Sequence, residues 1–331
     1  MRQHRRAITA LLLVTLSVGT LSCGARSDPE PANPLAGTSL WVDPESAAAR
    51  AQQQLRDSGD VTTADVLDAI SSQPVATWLV DDDPTPVTQR VTQTAAVTGQ
   101  LPVLVLYHRP GRDCGSYSAG GAAEQSSYLA WVRTIADTIA DQRALVVLEP
   151  DAIPQALSGQ CAQDGDPTTT YAMLAAAVDL LTAQDNTLVY LDAGHPGWIA
   201  DPVALADALR ASGAGSADGF SLNVSNFATT ADNQTYGDAV TAALDGQQYV
   251  VDVSRNGRGA PTADPAGIDA WCNPAGVALG ENPRIGPDRA RAVGFLWIKE
   301  PGASDGNCRP GEPPAGQFWP AYALRLIEQR P

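Results

Sequence analysis

The sequence predicts an α/β fold: a parallel β/α barrel of seven strands in a single domain. Three observations carry this. Seven short runs of β-branched, aliphatic and aromatic residues recur along the chain, and Ala-rich segments with helical spacing lie between them. The runs are almost continuously apolar, the pattern of strands covered on both faces. Strands that alternate with helices build a parallel sheet with helices packed on it. Seven such units favour a closed barrel over an open sheet. No G-x-G-x-x-G follows the first run, which argues against a dinucleotide-binding domain.

The elements follow in order. Residues 1–23 read as a secretory signal: Arg2, Arg5 and Arg6, an apolar stretch over 7–21, then small residues at Ser22-Cys23-Gly24-Ala25. The stretch is too short to span a membrane comfortably, and no later segment is a candidate. Cys23 stands where a bacterial lipoprotein carries its lipidated cysteine. The expected location is therefore extracellular, either freely secreted or anchored at the outer face of the cell membrane through Cys23. Residues 24–33 form a short Pro-, Ser- and Asp-containing linker, and 34–331 form the folded domain. The strand runs are 75–80, 101–107, 144–148, 187–191, 219–224, 249–253 and 292–298. Helical spacing is clearest over 128–139 and 171–181.

Composition narrows the function. The 331 residues carry 37 acidic and 21 basic side chains, a net charge of −16. Nucleic-acid binding is not expected, because a phosphate-tracking surface needs a basic patch. Hydrophobic content of 44% with 18% charged residues suffices for a packed core. Lys299 is the only lysine. Beyond Cys23 the cysteines are Cys114, Cys161, Cys272 and Cys308, an even set in an oxidising compartment. Three pairings are open to them. There is no C-x-x-C, and only His108 and His195 follow the signal. No metal and no cofactor are expected.

Polar residues collect where the strand runs end. The second run ends in Tyr107 and leads to Arg112-Asp113-Cys114. The third leads to Glu149-Pro150-Asp151, and the fourth to Asp192-Ala193-Gly194-His195. The fifth ends near Asn223 and Asn226, the sixth near Asp252 and Arg255. The seventh leads to Lys299 and then Asp305. In a parallel barrel these ends share one rim, where active sites sit. Each Asp alone could be a helix cap; several on one rim suggest chemistry. Carboxylates without metal ligands suit glycoside hydrolysis, which pairs a protonated acid with a second carboxylate. Crowding raises a carboxyl's pKa and keeps it protonated. Trp198 and Trp271, in loops after strands, are read as faces for sugar rings; Trp78, Trp131 and Trp297 are read as packing. Gly302-Ala303-Ser304-Asp305-Gly306 matches the G-x-S-x-G elbow, but no helix start and no histidine follow. Asn223 and Asn233 fall in N-x-[ST] patterns that occur often by chance.

In order along the chain, these strings resemble glycoside hydrolase family 6, the inverting cellulases. The matching segments are Asn33-Pro34-Leu35-Ala36-Gly37 with Trp41, Arg112-Asp113-Cys114 with Ser118 and Gly120-Gly121, and Glu149-Pro150-Asp151. They continue with Tyr190-Leu191-Asp192-Ala193-Gly194-His195 with Trp198, and Asp252-Val253-Ser254-Arg255-Asn256-Gly257 with Trp271-Cys272-Asn273. Last comes Leu296-Trp297-Ile298-Lys299 with Pro301-Gly302 and Asp305-Gly306. The resemblance implies a distorted, incomplete seven-stranded parallel β/α barrel. It implies an exported endo-β-1,4-glucanase acting with inversion on cellulose or a related glucan. Asp151 is then the general acid, and Asp113 raises its pKa and routes a proton through Ser118 and water. Tyr107 presses on the distorted sugar. Asp305 is the base or a charge partner, paired with Arg112. Asp192, His195, Asn223, Asn226 and Lys299 hold hydroxyls, and Trp41, Trp198 and Trp271 stack on rings. The implied disulfides are Cys114–Cys161 and Cys272–Cys308, and a monomer is expected. Ala303 stands where the family commonly has Glu, which motivates an alternative: a cell-surface glucan-binding protein with weak or no catalysis. Glu300 compensates only if it points inward. Only nineteen residues separate Cys272 from Ala292. That is too few to roof a cleft, so the resemblance implies endo action.

Overall fold

Strands form where the apolar runs predict them. A computed structural model describes residues 31–161, 165–261, 267 and 269–331. The expected signal segment with Cys23, and the expected linker before residue 31, lie outside the described residues. The strands are β1 (Thr77–Leu79), β2 (Val103–Leu106), β3 (Ala144–Leu148), β4 (Thr187–Asp192), β5 (Gly219–Leu222), β6 (Gln248–Asp252), β7 (Arg284–Ile285) and β8 (Ala292–Leu296). They make one sheet in the order β1-β2-β3-β4-β5-β6-β8-β7. Every pair is parallel except β7 on β8. The seven expected strands are therefore present. The eighth, β7, was not expected: it is two residues long and sits between Asn282-Pro283 and Gly286-Pro287, too brief for any periodicity to register.

Helices cover the sheet: α1 (Ala47–Asp57), α2 (Val61–Ser71), α3 (Thr85–Thr98), α4 (Gln125–Ile139), α5 (Ala152–Ser158), α6 (Pro167–Thr182), α7 (Pro202–Ala211), α8 (Thr230–Ala243) and α9 (Pro320–Glu328). Several starts have a local cause. Asp60, Asp166 and Asp201 accept backbone N–H bonds at the N-termini of α2, α6 and α7, and Pro opens α6 and α7. Among the described residues no helix is long and apolar enough to cross a membrane.

Successive strand residues fall into two cores. Leu104, Leu106, Val146, Leu148, Val189, Leu191 and Val251 pack with helix residues such as Trp131, Leu174 and Leu209. Val103, Val105, Leu145, Val147, Tyr190 and Val250 pack with one another and with Leu35. The second set fills the inside of the curled sheet, as the two-residue period of strands requires.

The two margins of the parallel part of the sheet, β1 and β8, meet rather than pair. Ala76 N–H donates to Trp297 C=O at 2.9 Å, and Trp78 Nε1 donates to Ile298 C=O at 2.8 Å. Below this contact the N-terminal segment closes the gap. The Asn33 side chain donates to the carbonyls of Gly286, Pro287 and Val293. Leu35 is fully buried among the inner residues, and Leu40 bridges to Leu101 just ahead of β2. Trp41 belongs to this closure. It is 4% exposed and packs in the helix-side core, so it offers no face to a sugar. The expectation that Trp41 stacks on a ring is corrected on that ground.

Candidate active site

The carboxyl ends of the strands surround a cleft with two lobes, of about 620 Å³ and 580 Å³, that join at Trp78, Tyr107, Ser118 and Lys299. The first lobe holds Asp113, Asp151, Asp305, His195, Trp198, Asn226 and Trp271. Arg112, Glu300 and Ala303 lie on the second. Trp78, read from the sequence as packing, lines both lobes. The available signal was its parity with inward-facing Ala76, near the mouth end of its strand. Trp131 and Trp297 are core residues as expected.

Beneath the cleft, carboxylates at strand ends tie neighbouring loops together. Glu149, just past β3, accepts the N–H groups of His108 and Arg109 on the loop after β2, at 2.9 and 3.2 Å. Asp192, ending β4, accepts the N–H of Asp151 at 2.9 Å and of Gly194 at 3.2 Å. Asp252, ending β6, accepts from Ser225 after β5 and from Lys299 after β8, both at 3.0 Å. All three are at most 1% exposed. Burial raises the pKa of each, to about 7 for Glu149. Asp192 therefore points beneath Asp151 and not at a sugar. Asn223 is likewise fully buried, with its amide donating to Asp252 C=O at 2.8 Å and its oxygen accepting Ala228 N–H at 3.0 Å. The hydroxyl-holding roles expected of Asp192 and Asn223 are corrected: both are occupied with backbone.

Asp151 sits at the start of α5 with φ 71, a left-handed backbone for a non-glycine residue. Its side chain opens into the cleft yet is walled by protein. Burial raises its pKa, and the negative charges of Asp192 and Asp113 raise it further. Asp113 also has a left-handed backbone, φ 58. Its Oδ2 accepts Ser118 N–H at 2.6 Å, and burial raises its pKa. Tyr107 is 7% exposed and meets Trp78 edge to face, with centroids 5.3 Å apart.

Asp305 is opposite in character. Burial alone would raise its pKa, but Arg255 and then Lys299 outweigh burial and hold it below the usual carboxylate range. Arg255 Nη1 lies 2.7 Å and Lys299 Nζ 3.2 Å from its oxygens, and Asn273 N–H donates at 3.0 Å. The expected Arg112–Asp305 pair is corrected. Arg112 donates instead to the carbonyls of Ser118 at 2.7 Å and Tyr107 at 2.8 Å, bracing its own loop. Arg255, fully buried, supplies the charge that Arg112 was expected to supply.

His195 lines the first lobe, and burial lowers its pKa to about 4, so it is neutral near pH 7. Its Nδ1 faces Gly197 N–H at 3.2 Å, which leaves the proton on Nε2. Glu300 lines the second lobe, but its Oε1 is taken by Ala48 N–H at 2.9 Å, at the start of α1.

Both implied disulfides are present, Cys114–Cys161 and Cys272–Cys308. The first joins the Asp113 loop to the end of α5, and the second brackets Asn273 and Asp305. Among the described residues, one grouping has metal-ligand spacing: Cys272, Cys308 and Glu312. Its two sulfurs are bonded to each other and offer no thiolate. Ser304 of the G-x-S-x-G string is fully buried and donates to Pro313 C=O at 2.9 Å, so it is no nucleophile. Asn223 and Asn233 are both 0% exposed, which removes them as glycan acceptors.

Comparison with known proteins agrees with this layout. The family model for glycosyl hydrolases family 6 matches residues 35–330. Endoglucanase 1 of Streptomyces halstedii is 38% identical over 327 residues, covering 96% of this chain and 97% of that protein. Endoglucanase A of Cellulomonas fimi is also 38% identical, over 87% of this chain, which spans 60% of that longer protein. The structure of the endoglucanase Cel6 from Mycobacterium tuberculosis, in complex with a methyl-cellobiosyl thio-cellobioside, superposes with a TM-score of 0.82. It is 39% identical and covers 90% of this chain and 99% of its own.

Proposed function

The chain belongs to glycosyl hydrolases family 6, and from that premise we propose that it is an exported endo-β-1,4-glucanase that hydrolyses cellulose or a related glucan with inversion. One observation carries the reading: Asp151 and Asp305 share one cleft with pKa values pushed in opposite directions. A glycosidase needs that division between a proton donor and a standing negative charge. Asp151 donates its proton to the leaving glycosidic oxygen. The charge on Asp113 helps keep that proton in place beforehand, and Ser118 lies within reach of both lobes for its relay. Tyr107, stacked edgewise on Trp78, presses on the sugar at the cleavage point. A water attacks the opposite face of the anomeric carbon as its bond to the leaving oxygen breaks, and the proton that this water sheds passes through Ser118 and a second water to the Asp113 carboxylate. Asp305 is a weak Brønsted base because two cations hold it ionised, so its part is to stabilise the positive charge that develops on the ring. His195, Asn226 and Lys299 offer donors to hydroxyls, and Trp198 and Trp271 offer ring faces.

Endo action is supported by the short loops around the cleft and by the endoglucanase names of the more similar relatives. Export, whether free or anchored through Cys23, is supported by the signal pattern and the two disulfides. The glucan is the one partner required, and the chain is proposed to act as a monomer. Ala303 on the second lobe favours the rival reading, glucan binding with little turnover. Asp151→Asn decides between them. Its kcat on carboxymethylcellulose is expected to fall by about 10²–10⁴ while cello-oligosaccharide affinity holds. Unchanged turnover, or wild-type protein that binds glucan without releasing reducing sugar, would overturn the proposal. The first product is expected as the α-anomer by NMR.

A further inference from the structure

The two rims of the cleft touch each other. Tyr117 stands on the loop after β2, three residues past Cys114. Trp271 stands on the loop after β6, next to Cys272. Their rings meet edge to face with centroids 5.9 Å apart and planes at 64°, within the range of a favourable aromatic pair. Tyr117 also rests on Gly306, the neighbour of Asp305. A Cβ placed on Gly306 would come within 2.6 Å of the Tyr117 ring, and its φ of 155 also lies where side chains are disfavoured. A side chain there would push the ring away. Both rings are nonetheless open to solvent, Tyr117 at 46% and Trp271 at 38%. The contact thus links the Asp113 side of the cleft to the Asp305 side. Tyr117 lines the second lobe and Trp271 the first, so the pair reaches from one lobe to the other.

We propose that Tyr117 is a specificity-determining residue: with Trp271 it forms a bridge across the cleft that an internal stretch of glucan must part to enter, and that retains the chain once closed. The inference rests on the endo-glucanase reading above. The disulfides fix the bases of both loops, so the moving part is the Tyr117 ring and its short span, where Gly115 has φ 80. One aromatic pair is a weak fastening and opens reversibly. Short oligosaccharides enter lengthwise and do not need it open. A polymer cut once beneath the closed bridge cannot leave sideways; it slides and is cut again before release.

The test compares Tyr117→Ala and Tyr117→Phe with wild type on carboxymethylcellulose, swollen cellulose and cellotetraose, using the full chain. Tyr117→Ala is expected to raise viscosity loss per reducing end roughly two- to tenfold, the range set by the worth of one aromatic pair. It is also expected to lower the ratio of soluble to insoluble reducing sugar by a similar factor. Its kcat/KM on cellotetraose stays within about twofold of wild type on the same grounds, and Tyr117→Phe, which keeps the ring, matches wild type throughout. Unchanged polymer ratios in Tyr117→Ala, or equal losses on polymer and cellotetraose, would overturn the bridge alone. Wild type that cuts cellotetraose without lowering viscosity would overturn the endo reading, and the bridge with it.

Discussion

Asp151 owes its proton to where it sits. A carboxyl with a raised pKa stays protonated to higher pH, so turnover is expected to fall as pH rises through that raised value. Asp192→Asn removes one of the charges that repel the Asp151 anion. Asp151 then ionises at lower pH, and the alkaline limb of kcat is expected to move down by about one unit; an unmoved limb would mean that Asp192 acts only as a clamp. Stability carries the same sign. The folded protein holds a proton that the unfolded chain releases near pH 4, so this group's contribution falls as pH rises between the two values. Asp151→Asn is expected to raise Tm at pH 8 and to leave it little changed at pH 4. Not every residue was legible to this depth. Trp41 sits in a matching string, but adjacency to a motif does not say which way a ring points. Trp41→Ala is expected to cost about 3–5 kcal/mol in denaturant unfolding and to leave cello-oligosaccharide affinity unchanged.

Strand ends and loops behave as units. The sequence locates the polar rim because each apolar run stops at a polar residue. It does not show that these residues fall into two tiers. Residues on the loops, Asp113, Asp151 and Asp305, reach the cleft; those on the strands themselves, Asp192 and Asp252, turn inward and bond backbone. Glu149 sits with the lower tier. It holds the His108–Arg109 segment, and with it the course of the chain from Tyr107 to Asp113. Glu149→Gln replaces one acceptor with a donor facing an N–H. A kcat loss of about tenfold or more with little change in KM is expected, by analogy with other misplaced catalytic groups; a KM effect alone would contradict a positioning role. The Cys114–Cys161 disulfide secures the same loop to α5 across 47 residues. Replacing both cysteines with Ser is expected to cost about 2–4 kcal/mol in stability and to lower kcat more than the Cys272–Cys308 replacement does.

For the molecule as a whole, the alternation of strands and helices was legible because each strand is buried on both faces and each helix has a core-facing side. The way the cylinder closes was not. A motif string records that residues 33–41 matter without recording that they form the floor, and the contact between β1 and β8 is a matter of curvature, which no local pattern encodes. That contact has a dynamic consequence. Six strand-to-strand ladders knit the parallel sheet, while its two margins share one peptide N–H and one indole N–H. Deuterium should therefore enter at Ala76 long before it reaches the amides of β3 and β4, marking a line along which the wall breathes. Because Trp78 stands on that line and also lines both lobes of the cleft, bound cello-oligosaccharide is expected to slow the exchange there first.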